Sequence, residues 1–374
     1  MKKITTLALG LLLASAAFAQ KGNKAEVLPS LQSTLGKHFL IGVAVDTRLP
    51  AGQDPAAEAI VKEQFNQVVA ENCMKGEVNH PEVNRFDFTD GDKLVDWAQK
   101  NGKTVIGHCL VWHSQPPKWM FTDANGKTVS REVLIGRMYN HIMTVVTHYK
   151  GKIKGWDVVN EAFEDDGSYR KSPYYNIIGP EFIELAFQFA HEADPNVELY
   201  YNDYSTSKPG KREAICKLVR SLKSKGLRID AVGMQSHNGY NYPDYAEYEK
   251  SIEAFAAEGV KVMMTELDVN MLPNPEGFGG AEISQNFELQ AKYNPYVKGL
   301  DKKAQKLFNQ RYLDLFKIIE RHKDVISRVT FWGVNDGHTW LNDWPIKGRT
   351  NYPTLIDRNN QLKPVVKEIE KLFE

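Results

Sequence analysis

Short runs of apolar and β-branched residues recur near 39–44, 66–70, 104–108, 155–160, 198–202, 229–235, 260–266 and 328–332, with longer amphipathic stretches between them. Such runs predict buried strands. The stretches at 91–101, 131–149, 180–192, 211–225, 245–258 and 303–322 predict helices, the first five closed by Gly102, Gly151, Pro195, Gly226 and Gly259. Eight strands alternating with helices indicate an α/β chain folded as a (β/α)8 TIM barrel. An open doubly wound sheet would show fewer strands and often a glycine-rich phosphate turn after the first. Here the first strand runs through Val43-Ala44-Val45 into Asp46-Thr47, with no such turn.

In a barrel the carboxyl ends of the strands share one mouth. Those ends carry Glu71-Asn72, His108, Asn160-Glu161, Asn202-Asp203-Tyr204, Gln235 with His237, Glu266 with Asp268, and Trp332, on the second to the eighth strand in turn. Each glutamate alone reads as a solvated residue after a strand. Together, Glu161 and Glu266 supply the two carboxyl groups needed to break an acetal between sugars: one protonates the leaving oxygen, the other attacks the anomeric carbon or activates water. Asn72, Lys75, His108, Gln115, Asn160, Gln235 and His237 could pair with sugar hydroxyls, which are costly to desolvate unmatched. Trp112, Trp119, Trp332, Trp340 and Trp344 follow strand ends and could carry the apolar faces of sugar rings, while Trp97 and Trp156 read as core.

The chain has 374 residues, and no Pro/Ser/Thr-rich tract or charge run divides it. It opens with Met1-Lys2-Lys3, an apolar run from Ile4 to Phe18, and Ala17-Phe18-Ala19 before Gln20. That pattern predicts a signal peptide over 1–19, a single catalytic domain over 20–374, and a periplasmic or extracellular location. The leader is short for a membrane span, and no comparable run follows. Forty-seven basic and forty-seven acidic residues balance, which argues against nucleic acid or a membrane surface as partner and suits a neutral polymer. Cys73, Cys109 and Cys216 form neither a disulfide framework nor a zinc pattern, and His108, His113 and His237 lack ligand spacing. No metal or cofactor is expected, and the chain is expected to act as a monomer.

The segments Glu71-Asn-x-Met-Lys75, Gly107-His108-x-Leu-Val-Trp112-His-Ser-Gln115-x-Pro-x-Trp119, Trp156-Asp-Val-Val-Asn-Glu161, Tyr201-Asn-Asp-Tyr204, Gly233-x-Gln235-x-His237, Thr265-Glu-Leu-Asp268 and Trp332-Gly-Val-x-Asp336-x-x-x-Trp340 follow one another in order. This set resembles glycoside hydrolase family 10, mostly endo-β-1,4-xylanases on a (β/α)8 barrel, from about residue 35 to the C-terminus. The resemblance implies a retaining double displacement with Glu161 as acid/base and Glu266 as nucleophile. Asn160 would bond the 2-hydroxyl of the sugar being cleaved, and Glu71, Asn72 and Lys75 would hold the next sugar toward the non-reducing end. His108, Trp112, Gln115 and Gln235 would line the cleavage subsite, with Tyr204 among the substrate contacts. His237 would bridge Glu266 and Asp268, with Asp268 supporting the nucleophile, and Trp332 and Trp340 would wall the place where xylose lacks a hydroxymethyl group.

Two features depart from the family's pattern. Gly76 stands where a tryptophan usually follows the lysine, so an aromatic wall is missing on the glycone side. A long stretch from Asn270 to Leu300 separates the seventh strand from its helix and suggests a lip over one end of the cleft. Alternative readings are an endo-acting hydrolase of another β-glycan, a secreted sugar-binding barrel without catalysis, and a metal-dependent hydrolase.

Overall fold

In the computed structural model, which describes residues 30–279 and 282–374, nine parallel strands follow one another as β1 (Leu40–Val45), β2 (Gln67–Ala70), β3 (Thr104–Trp112), β4 (Gly155–Asn160), β5 (Glu198–Asp203), β6 (Ala231–Met234), β7 (His237–Gly239), β8 (Lys261–Asn270) and β9 (Ile326–Phe331). Neighbours pair from β6 back through β1, then β9 and β8, and a β6–β8 ladder closes the ring. The barrel therefore has eight staves, with β7 as a short extension beyond β6. Parallel strands covered on both faces read as near-continuous apolar runs, and β2, β4 and β6 are buried at every position. The predicted leader over 1–19 lies outside the described residues.

The six expected helices form, within two residues of the expected ends. In Lys302–Arg321, Ala304, Phe308, Tyr312, Leu315, Phe316 and Ile319 recur at three- and four-residue steps and face the barrel, and the Asp301 side chain caps the first turn by accepting from the Ala304 amide at 2.8 Å. The helix Pro55–Gln64 was not among those expected, although Asp54 caps it and Pro55 opens it. Strand β8 runs to Asn270, beyond the expected end at 266, because His237–Gly239 pairs in register with Asp268–Asn270 and prolongs the sheet.

Apolar side chains fill both sides of the wall. Most of the core lies between strands and helices, while Ala44, Val69, Ile106, Tyr200, Ala231 and Met263 pack as a smaller cluster beneath Trp332. Among the described residues, no helix is long and apolar enough to cross a membrane.

Candidate active site

The carboxyl ends of the strands are stitched directly to one another. The amide of Glu161 donates to the Asn202 carbonyl at 2.9 Å, that of Gln235 to Asp203 at 2.9 Å, and that of Glu266 to Gln235 at 2.8 Å. These bonds bring residues from β4, β5, β6 and β8 to one level. All fifteen predicted site residues, from Glu71 on β2's end to Trp340 after β9, line a single cleft of about 760 Å³. Of five non-glycine residues with positive φ among those described, Gln115, Glu161, Ser205 and Ser236 belong to the loops of this mouth, and such conformations concentrate at functional sites.

Glu161 and Glu266 are each about 5 % exposed, yet their surroundings differ. Glu161 accepts from Gln235 Nε2 at 2.7 Å and from Trp112 Nε1 at 2.9 Å. Its pKa is raised to about 7, chiefly by burial, with the carboxylates of Asp203 and Glu266 adding to the effect and the Gln235 and Trp112 hydrogen bonds opposing it. The imidazole of His113 lies 3.9 Å away and is itself pushed down to about 4 by burial and Arg170, so it offers little positive charge near neutrality.

Around Glu266 the balance reverses. Burial alone would raise its pKa, but the His237 hydrogen bond, the pull of His108 and His237, and the Asn202 amide lower it to about 2. His237 places Nε2 3.1 Å from Glu266 and Nδ1 2.9 Å from Asp268. Burial disfavours its charged form, but the two carboxylates prevail and lift its pKa to about 10. Near neutral pH Glu266 is thus a carboxylate facing the imidazolium of His237.

Asn202 joins the two halves. Its Nδ2 donates to Glu266 Oε1 at 2.8 Å and to Asn160 Oδ1 at 3.0 Å, while its Oδ1 accepts from Thr265 Oγ1 at 2.6 Å. Gly233 makes room for this: a Cβ there would lie 2.3 Å from Asn202 Oδ1. Asn160 Oδ1 also accepts from Gln235 Nε2 at 3.2 Å. Turning the Asn160 amide over would gain the Asn202 carbonyl and the Trp112 indole but set its NH2 against two amide nitrogens. Donor would face donor, so Oδ1 stays toward them.

The remaining walls are equally tied down. Lys75 Nζ donates to Asn72 Oδ1 and Gln115 Oε1, each at 2.9 Å, and lies 4.9 Å from the centre of the Trp112 ring. His108 Nδ1 bonds Asp157 at 2.9 Å. Trp332 meets His108 edge-on, and Trp340 Nε1 donates to Asp268 Oδ2 at 3.0 Å while stacking on Trp344 at 4.6 Å. Trp344 also lines the cleft, as do Phe278 and Ile283 of the long stretch after β8. Phe278 packs on Trp344, and the Phe287 amide donates to the Pro345 carbonyl at 2.9 Å, so this stretch is anchored on the loop after β9.

Trp119 is a correction. It does not line the cleft: its indole donates to the His80 carbonyl at 3.1 Å and its ring faces Arg137 at 5.4 Å, which makes it a prop for the β3 loop. Trp97 and Trp156 are buried, as expected of core. At Gly76 an added Cβ would lie 2.8 Å from Cδ of Pro117, so the proline ring occupies the space where a side chain would start. Sequence reasoning assigned no part to Arg170 or Lys211, whose contacts around Glu161 and Asp203 come from loops and helix starts away from any strand end.

Among the described residues, Glu249, Glu253 and His322 have metal-ligand spacing, but they sit on outer helices away from the cleft, and Glu249 is already bonded by Arg321 and His322. The cleft itself offers acids, amides and indoles, a set suited to acid/base and nucleophilic chemistry on a polyhydroxylated chain.

Residues 30–372 match the model of glycosyl hydrolase family 10. The chain is 61% identical over 375 residues to an endo-1,4-beta-xylanase A of Xylanibacter ruminicola, spanning 100% of both, and 40% identical to a beta-1,4-xylanase of Dictyoglomus thermophilum over 98% of each. Its fold is similar to that of a GH10 endoxylanase from a sugarcane soil metagenome, with a TM-score of 0.86 and 43% identity over 92% of this chain and 99% of that one.

Proposed function

The chain belongs to glycosyl hydrolase family 10, and from that premise we propose that it hydrolyses internal β-1,4-xylosidic bonds of xylan and xylo-oligosaccharides with retention of configuration, using Glu266 as nucleophile and Glu161 as acid/base. The observation that carries this assignment is the opposite protonation of two buried glutamates facing one cleft, Glu161 at about 7 and Glu266 at about 2. Two carboxyl groups whose environments separate them in this way divide acid and nucleophile between them.

In the first step a Glu266 oxygen attacks the anomeric carbon while protonated Glu161 gives its proton to the departing glycosidic oxygen, leaving a glycosyl ester on Glu266. Asn160, locked by Asn202 and Gln235, faces the 2-hydroxyl of that sugar. In the second step Glu161, now ionised, takes a proton from water as the water oxygen attacks the same carbon, and Glu266 leaves as carboxylate. The Asp268–His237 pair keeps Glu266 ionised at the start and accommodates its return at the end.

Xylohexaose should be cut internally to new ends that are first β-configured, with hydrolysis of soluble β-glucan far slower; proton NMR during the first turnovers reads both. New α-ends would remove the double displacement, and glucan as the better substrate would favour the other β-glycan reading. The wall formed by Phe278 and Ile283 predicts a separate effect. Ile283→Ala with Phe278→Ala should raise KM for xylohexaose by about threefold to tenfold, from about 1 kcal/mol of lost apolar contact, while kcat stays near wild type. An unchanged KM would mean that this stretch only borders the cleft.

Secretion is the reading of the leader over 1–19: a lysine pair, an apolar run and a small-residue cleavage site. N-terminal sequencing of protein exported by a host cell checks it, with Gln20 as the expected first residue.

A further inference from the structure

Glu161 holds a backbone φ of 60°, a left-handed conformation that residues with side chains avoid. Three contacts keep it there. Its amide donates to the Asn202 carbonyl at 2.9 Å, and the next amide, of Ala162, donates to the Tyr201 hydroxyl at 3.0 Å. Both partners belong to β5, the neighbouring stave. The third partner comes from outside the sheet: the Glu161 carbonyl, past the last residue of β4, accepts from Arg170 Nε at 2.9 Å.

The guanidinium of Arg170 is fixed by more than this bond. Its Nη2 donates to the Tyr204 hydroxyl at 2.6 Å, its Nη1 lies 3.2 Å from Glu164, and the Arg170 amide donates to the Ala162 carbonyl at 2.8 Å. Tyr204 is held from its other side by Lys211, whose Nζ sits 3.6 Å from the ring centre and 3.1 Å from Asp203 Oδ1. One planar fork therefore touches both the peptide that carries the acid/base side chain and a wall of the cleft, a task a lysine's single ammonium could not match.

We infer that Arg170 is a positioning residue for the reaction: by holding the Glu161 carbonyl in its left-handed turn it aims the carboxyl at the departing oxygen, and through Tyr204 it ties that aim to the cleft wall. Without the guanidinium the carbonyl loses this donor, the peptide between 161 and 162 is held only through the Ala162 amide and Tyr201, and the turn that aims the carboxyl loosens. An ångström of misplacement at a proton donor is costly in rate. The inference rests on the acid/base reading of Glu161, so the two must be tested side by side.

The experiment compares kcat/KM for wild type, Glu161→Ala, Arg170→Met and Arg170→Lys on two aryl β-xylobiosides, one releasing dinitrophenol, which needs no protonation, and one releasing phenol, which does. Arg170→Met should lose about 10²-fold on the phenyl substrate and less than about threefold on the dinitrophenyl one, with Arg170→Lys between it and wild type. Glu161→Ala should show the same split, larger. A misfolded fraction lowers both substrates equally and so cannot imitate the split. Equal losses on both substrates for Arg170→Met, beside a clear split for Glu161→Ala, overturn the positioning inference and leave the acid/base assignment standing. No split for Glu161→Ala overturns that assignment, and the inference with it.

Discussion

Glu266→Ala is expected to lose about 10⁴-fold or more in kcat/KM on xylan, on xylohexaose and on aryl xylobiosides with good and poor leaving groups alike. The carboxylate supplies the bond that replaces the glycosidic one, so no leaving group, however willing, restores the rate. Geometry adds a second loss. Removing Glu266 leaves the Asn202 amide and His237 Nε2 without an acceptor that now fixes them at 2.8 and 3.1 Å. Initial-rate kinetics on the four substrates check this. A variant within about tenfold of wild type, against the scale expected for a lost nucleophile, would show that another group attacks the sugar.

Glu161→Gln should remove the alkaline limb of the pH profile along with about 10²- to 10⁴-fold of the rate on xylan. In wild type, kcat/KM should rise as Glu266 ionises, reach a plateau, and fall through about pH 7 as the free enzyme loses the Glu161 proton. The same group sets a stability effect of opposite sense to an ordinary salt bridge. Its folded pKa lies above the ordinary 4.5, so the unfolded chain releases the proton first, and wild type loses stability as pH rises from about 4.5 to 7. A displacement of this size corresponds to at most about 3 kcal/mol. Glutamine carries no such penalty. Urea unfolding at pH 4.5 and pH 8 should show the stability difference moving in favour of Glu161→Gln as pH rises; a constant difference would mean that burial does not hold this carboxyl neutral.

How much of this was legible in the chain depends on where each residue's function comes from. The staves were readable because a parallel strand covered on both faces must be apolar, as at Val158-Val159 and Val262-Met263-Met264. The site was readable because the polar residue that ends each run has one place to point, into the shared mouth. Helix Pro55–Gln64 went unread although its cap and proline were present, because at 10 residues it is shorter than any of the six expected helices. The prolonged end of β8 went unread because it depends on pairing with His237–Gly239, a tertiary event. Trp119 misled for a similar reason: an indole after a strand end can face the cleft or prop a loop, and only the position of His80 decides. Arg170 left no trace of periodicity or strand position, since its partner is a main-chain carbonyl nine residues back.

The contact between Gly76 and Pro117 constrains the order in which this cleft can change. A side chain at 76 cannot be introduced while the proline keeps its place, because its first carbon would already collide with a rigid ring. A lineage or a laboratory seeking an indole there must therefore loosen the 115–117 segment first, and Gln115 in that segment is one of the two acceptors that steady Lys75. The intermediate would give up grip on the sugar before gaining any. The glycine is in this sense hard to leave by single steps.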